Sequence, residues 1–105
     1  MSYQENMYNY LKRKRGLCKK YEHAGIYSIS IGDELVYIGK SHNMLRRIAQ
    51  HMVGIKLKSE KKYSIMAEKQ RKGAAINFDV MYYAKGKDYD SIEEEIGARE
   101  GELIR

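Results

Sequence analysis

The segment from Gly25 to Ile38 limits the fold more than any other part of the chain. Residues 25–31 read GIYSISI, dense in β-branched side chains and strongly alternating, and residues 35–38 read LVYI after a Gly32-Asp33 turn signal. That pattern specifies a β-hairpin. Residues 76–83, INFDVMYY, alternate again and give a third strand.

Helical periodicity surrounds these strands. Residues 3–21 place Tyr3, Met7, Tyr10, Leu11, Leu17, Cys18 and Tyr21 on one face of an amphipathic helix, leaving a free basic face with Lys12 and Arg13. Ser41 or Asn43 caps a helix running to about Ile55, with Met44, Leu45, Ile48, Met52 and Ile55 as its apolar face. Residues 59–72 form a lysine-rich helical segment broken by Gly73. Ser91 and Glu94 have capping-box spacing and open a helix toward the C-terminus. The expectation is an α+β domain, a small three-stranded antiparallel sheet flanked by helices. Residues 1–22 add a basic N-terminal helix to a domain at 23–105, in one unit with no repeat or linker between them.

Composition narrows the function. A length of 105 residues excludes a two-domain enzyme. The lone Cys18 excludes a disulfide framework and a cysteine-based structural zinc site. No run approaches the ~18 apolar residues of a membrane span, and the first ten residues lack a signal peptide's apolar core, so a protein of the reducing cytoplasm is expected. The net charge of +6 is uneven. Residues 40–72 hold ten basic and two acidic residues, while 91–105 hold five glutamates against two arginines. A basic centre beside an acidic end suits a polyanionic partner, although a solvated lysine-rich helix face gives the same numbers.

The last helix holds one anomaly. Glu100 falls about 80° from Ile92 and inside the stripe of Ile92, Ile96, Leu103 and Ile104. Glu93 also turns inward but sits in the first turn, where the helix dipole favours it. Glu94, Glu95 and Glu102 fall on the solvent side. A carboxylate in an apolar stripe must be neutralised, paired with a cation or bound to a metal. Arg47 and His51, four residues apart, share one face at the edge of the Met44, Ile48, Met52 stripe.

Taken together, these residues make a specific pattern: Gly25-Ile26-Tyr27, then Tyr37-Ile38-Gly39 after nine intervening residues, Lys40, Arg47, His51 one turn on, and Glu100 before Leu103-Ile104. Over about residues 24–105 this resembles the GIY-YIG nuclease domain, whose fold is a three-stranded antiparallel sheet flanked by helices. The resemblance implies a DNA endonuclease in which Glu100 ligates one Mg²⁺ or Mn²⁺. Tyr27 would activate or orient the attacking water, as a base with its pKa lowered by Arg47, Lys40 and the metal, and Tyr37 would bond within the same site. Arg47 would clamp the scissile phosphate, His51 would assist, and Gly39 would let the backbone approach the phosphate. Lys12, Arg13, Lys40, Arg46 and Arg47 would hold DNA, with sequence choice left to DNA shape, a second copy in a homodimer or a specificity partner.

A shared site needs Tyr27 and Tyr37 on one face of the hairpin, and hence an odd-length loop or a bulge, and Gly32 is well suited to a bulge. The family pattern also continues past the late glutamate to a supporting asparagine, and the sequence ends at Arg105 before that segment. The alternatives are a non-catalytic nucleic-acid-binding module that retains the fold and a scaffold for an acidic protein.

Overall fold

The alternating run at residues 25–31 becomes the central strand of the computed structural model, which describes residues 2–104. Met1 and Arg105, the outer ends of the two expected segments, lie outside the described residues. The elements in order are α1 (Tyr3–Lys12), α2 (Arg15–Tyr21), β1 (Gly25–Ile31), β2 (Glu34–Ser41), α3 (Met44–Leu57), α4 (Lys61–Arg71), β3 (Ile76–Tyr83) and α5 (Tyr89–Ile104). The strands form one antiparallel sheet in the order β2-β1-β3, so the expected α+β architecture stands. No helix among the described residues is long and apolar enough to cross a membrane.

Two bulges decide which side chains meet. Along β1 and β2, Tyr27 pairs with Gly39 and Ile29 with Tyr37, but the next pair is Ser30 with Leu35, leaving Val36 as the extra residue. Gly32-Asp33 remains a plain two-residue turn, closed by Ile31 opposite Glu34. The odd register is therefore present, but the bulge sits at Val36 and not at Gly32. Along β1 and β3, Ile26 pairs with Tyr82 and Tyr27 with Val80, so Met81 is extra and Tyr82 passes to the opposite face from Val80.

The two faces carry different helices. Tyr27, Ile29 and Ile31 pack with Leu11 of α1, Met44, Leu45 and Ile48 of α3, and Tyr63 and Met66 of α4, with Phe78 and Val80 alongside. Ile26 points the other way, outside that cluster, and is buried, as is Ile96 of α5. The Glu95 carboxylate accepts the Tyr82 hydroxyl and the Lys85 and Gly86 amides, tying α5 to the end of β3. Glu95 is thus a clamp for the β3–α5 loop and not the free solvent-side group expected. Lys40 Nζ reaches Gly97, and Ile104 shares a surface cleft with Leu35–Ile38, so α5 runs antiparallel to β2.

The helix ends depart from expectation in two places. Residues 3–21 are two helices, broken at Arg13-Lys14 within four successive like charges, and the start of α2 has no side-chain cap. The break lets α1 and α2 dock separately. Tyr8, absent from the expected apolar face, is buried while Tyr10 is exposed. The Tyr8 hydroxyl donates to Glu22 at 2.6 Å and accepts from Asn43 Nδ2 at 3.1 Å, and the Tyr21 hydroxyl reaches the Phe78 carbonyl at 2.8 Å. Asn43, not Ser41, caps α3 by accepting from the Arg46 amide. The start of α5 is held by Asp88, which accepts from both the amide and hydroxyl of Ser91, so the Ser91–Glu94 capping box does not form. A single acceptor one turn earlier satisfies the same amide.

Because Ile96 and Ile26 anchor the α5 face, Ile96→Ala should lower the unfolding free energy by about 2–5 kcal/mol. Exposed Ile104→Ala should change it by less than about 0.5 kcal/mol. Urea denaturation of both variants measures the difference.

Candidate active site

The odd register of the hairpin puts Tyr27 and Tyr37 on the α3 face, with ring centroids 6.2 Å apart. His51 meets them from the middle of α3. Its Nε2 lies 2.7 Å from the Tyr27 hydroxyl, and its ring centroid lies 5.1 Å from that of Tyr37. The other ring nitrogen, Nδ1, lies 2.7 Å from the hydroxyl of Tyr63 on α4. Both Tyr27 and His51 are 0% exposed, so His51 belongs to the core and not to the edge of the α3 stripe. A neutral imidazole has one N–H and one lone pair. One tyrosine must therefore donate to His51 while the other accepts from it.

Burial lowers the His51 pKa to about 4, with Arg47 and Lys62 adding to the shift, so the ring is neutral at physiological pH. The same burial pushes the Tyr27 hydroxyl well above its usual range, and the Arg47 charge pulls only partly against it. Arg47 by itself does not lower the Tyr27 pKa, because desolvation outweighs it. Tyr63 is raised as well, by burial first. The protein thus holds a neutral chain of hydroxyl, imidazole and hydroxyl that can relay a proton without resting charge.

Two glycines make this packing feasible. A Cβ on Gly39 would stand 2.4 Å from the Tyr27 hydroxyl and 2.8 Å from the Tyr37 ring. Gly39 is buried beneath both rings, so its small size admits the tyrosines and does not open the backbone to a phosphate. A Cβ on Gly54 would stand 2.4 Å from the Tyr63 ring. That glycine, three residues after His51 in mid-helix, was the available sequence signal for Tyr63, which the lysine-rich reading of residues 59–72 passed over.

The remaining expected residues divide by location. Arg47 is half-buried, donates to Gln50 Oε1, and acts electrostatically on Tyr27, His51 and Tyr63. Arg46 pairs with Glu5 and lies 4.1 Å over the Tyr8 ring, which ties it to α1 docking. Lys12 lies over the Tyr8 ring, Arg13 ends α1, and Lys40 is exposed on the α5 side. Glu93 is exposed and pairs with His42, which stacks on Tyr89 at 4.0 Å, so it is not turned inward.

Glu100 lies on α5, which covers the opposite face of the sheet from α3. It is half-buried, and among the described residues it has no hydrogen bond or ion pair and makes none with the tyrosine cluster. The stripe around it is looser than the helical wheel implies, since only Ile96 is buried and Ile104 is exposed. An uncommitted carboxylate oxygen suits a hard divalent ion that takes its other ligands from water and phosphate. No group of three His, Cys, Asp or Glu side chains gathers among the described residues.

A model for the family described as GIY-YIG catalytic domain matches residues 23–105. No curated protein and no solved structure matches the chain.

Two outcomes follow from this geometry. His51 has a folded pKa of about 4, below the usual ~6.5, so the unfolded chain binds the extra proton first. Stability is full above about pH 6.5 and is lost as pH falls toward 4, by about 2 kcal/mol between pH 7 and pH 5. Urea unfolding at the two pH values should show that loss, and His51→Gln should flatten it. Gly39→Ala forces a methyl into the Tyr27 hydroxyl and should lower stability by about 1–3 kcal/mol, read as a fall in Tm.

Proposed function

The chain belongs to the GIY-YIG family, and on that footing we propose that it is a divalent-metal-dependent endonuclease that hydrolyses DNA phosphodiester bonds. The GIY-YIG catalytic domain marks a nuclease-type family whose members are generally metal-dependent, and a nuclease domain implies DNA as substrate. The observation that carries the reading is the buried Tyr27–His51 hydrogen bond with the Tyr37 ring against both partners.

In this reading Tyr27, Tyr37, Arg47, His51 and Glu100 are the site, with the scissile phosphate at the outer edge of strand β2, along which α5 carries Glu100. Arg47 grips the scissile phosphate with its planar fork of donors. Once substrate binding admits a water to the buried Tyr27 hydroxyl, the water oxygen bonds to phosphorus as the P–O bond to the leaving sugar oxygen breaks; Tyr27 takes the water's proton and its own passes to His51 Nε2, so that two O–H bonds break while one O–H and one N–H form. The negative charge of the phosphate, seated beside Arg47, offsets the cations that add to the effect of burial on His51 and makes its lone pair more basic. Tyr37 closes the ring stack and keeps Tyr27 and His51 aligned. Glu100 would hold Mg²⁺ or Mn²⁺, which when bound supplies charge stabilisation at the phosphate and leaving oxygen.

Nicking of supercoiled plasmid with Mg²⁺ or Mn²⁺ tests the reading. Wild type should nick, while Glu100→Ala and Tyr27→Phe should each lose about 100-fold or more in rate. Intact supercoiled, branched and single-stranded substrates after incubation with folded wild type would remove the enzyme reading and leave a nucleic-acid-binding module.

A further inference from the structure

The tyrosine cluster has a second cation that the sequence pattern did not single out. Lys62, in the first turn of α4, places Nζ 5.0 Å from the ring centroid of Tyr37 and 5.0 Å from that of Tyr63. It is half-buried, and its charge reaches His51, as does that of Arg47. Six other cations among the described residues are paired: Lys20 with Asp79, Arg46 with Glu5, Lys69 with Glu34, Arg71 and Lys72 with Glu68, and Arg99 with Glu102. Neither Lys62 nor Arg47 has a carboxylate partner among the described residues. Glu60 is the one carboxylate whose charge is felt in the cluster, at Tyr63, and it pairs with neither cation.

Two unpaired cations beside a neutral, buried set of hydroxyls form an anion seat. The faces of Tyr37 and Tyr63 hold the ammonium in place and leave its N–H donors for a ligand, because a ring face attracts the charge without consuming a directed hydrogen bond. We propose that Lys62 is a substrate contact that binds a backbone phosphate of the strand whose neighbouring phosphate lies on Arg47. The inference rests on the nuclease reading for the identity of the strand, but the anion seat itself requires no cleavage. It also moves DNA contact from the α1–α2 basic run toward the junction of α3 and α4, where Lys56 at the end of α3, Lys58 in the turn and Lys61 at the start of α4 are exposed.

The experiment is fluorescence anisotropy of a labelled DNA duplex across a salt series in EDTA, with plasmid nicking in Mg²⁺ run in parallel. Lys62→Met keeps the methylene stem against the tyrosines and removes the charge. It should weaken binding roughly tenfold and reduce the slope of log affinity against log salt by about 0.9. Lys62→Arg should keep the slope, and Lys72→Gln, at the far end of α4, should stay within about twofold of wild type. Circular dichroism confirms that each variant folds, and Lys62→Gln replaces Lys62→Met should that variant unfold. Wild-type affinity and slope in Lys62→Met, an equal loss in Lys72→Gln, or no DNA binding by wild type would each overturn the phosphate seat. A wild type that binds as described but never nicks would instead remove the nuclease reading and leave the seat standing.

Discussion

The site depends on one buried imidazole held between two tyrosine hydroxyls. His51 satisfies both ring nitrogens at 2.7 Å, one on Tyr27 from β1 and one on Tyr63 from α4. A histidine without exposure would otherwise leave a polar atom unpaired at a cost of about 1–3 kcal/mol, so the contact orients three elements at once. It also joins fold to chemistry. The burial that makes the hydrogen bonds necessary is the same burial that keeps His51 neutral and Tyr27 protonated.

Reaching that arrangement takes small backbone adjustments at chosen places. Val36 supplies the extra residue that brings Tyr37 to the side of Tyr27 across a two-residue turn, and without it the period-two alternation would separate them. Met81 does the reverse on the other edge, sending Tyr82 to the α5 face, where Glu95 receives it. Gly39 and Gly54 leave the volume that the tyrosine rings occupy. Bulges and glycines that weaken a strand or helix locally are thereby used to aim side chains.

Much of this was legible in the sequence, and the rest failed for identifiable reasons. Strand β3 and the span of α3 followed from period-two and period-3.6 patterns, because those segments each bury one face. The odd register followed from requiring two tyrosines in one site, but its position did not, since a glycine in a turn and a valine in a strand can each accommodate an irregularity. The helix over residues 3–21 was read through its break because apolar spacing persists across it, while the repulsion within Lys12–Arg15 is not part of a periodicity count. Tyr63 and Lys62 were hidden in a segment whose lysines dominate its composition. The upward push of burial on Tyr27 was not legible, because nearby cations are visible in a sequence and desolvation is not.

Charge explains the cluster's surroundings. Lys62 and Arg47 flank neutral groups, so the resting protein keeps its cations ready for an anion, and the acidic α5 carries Glu100 half-buried and uncommitted. At the centre of these surroundings His51 is a neutral imidazole bonded on both sides. The most direct measurement is ¹⁵N NMR of the histidine rings at pH 7, with His51 assigned by substitution. A neutral ring held this way gives one protonated, pyrrole-like nitrogen and one hydrogen-bonded, pyridine-like nitrogen in a single tautomer. Two protonated nitrogens, or rapid averaging of tautomers as in a solvent-exposed ring, would contradict it.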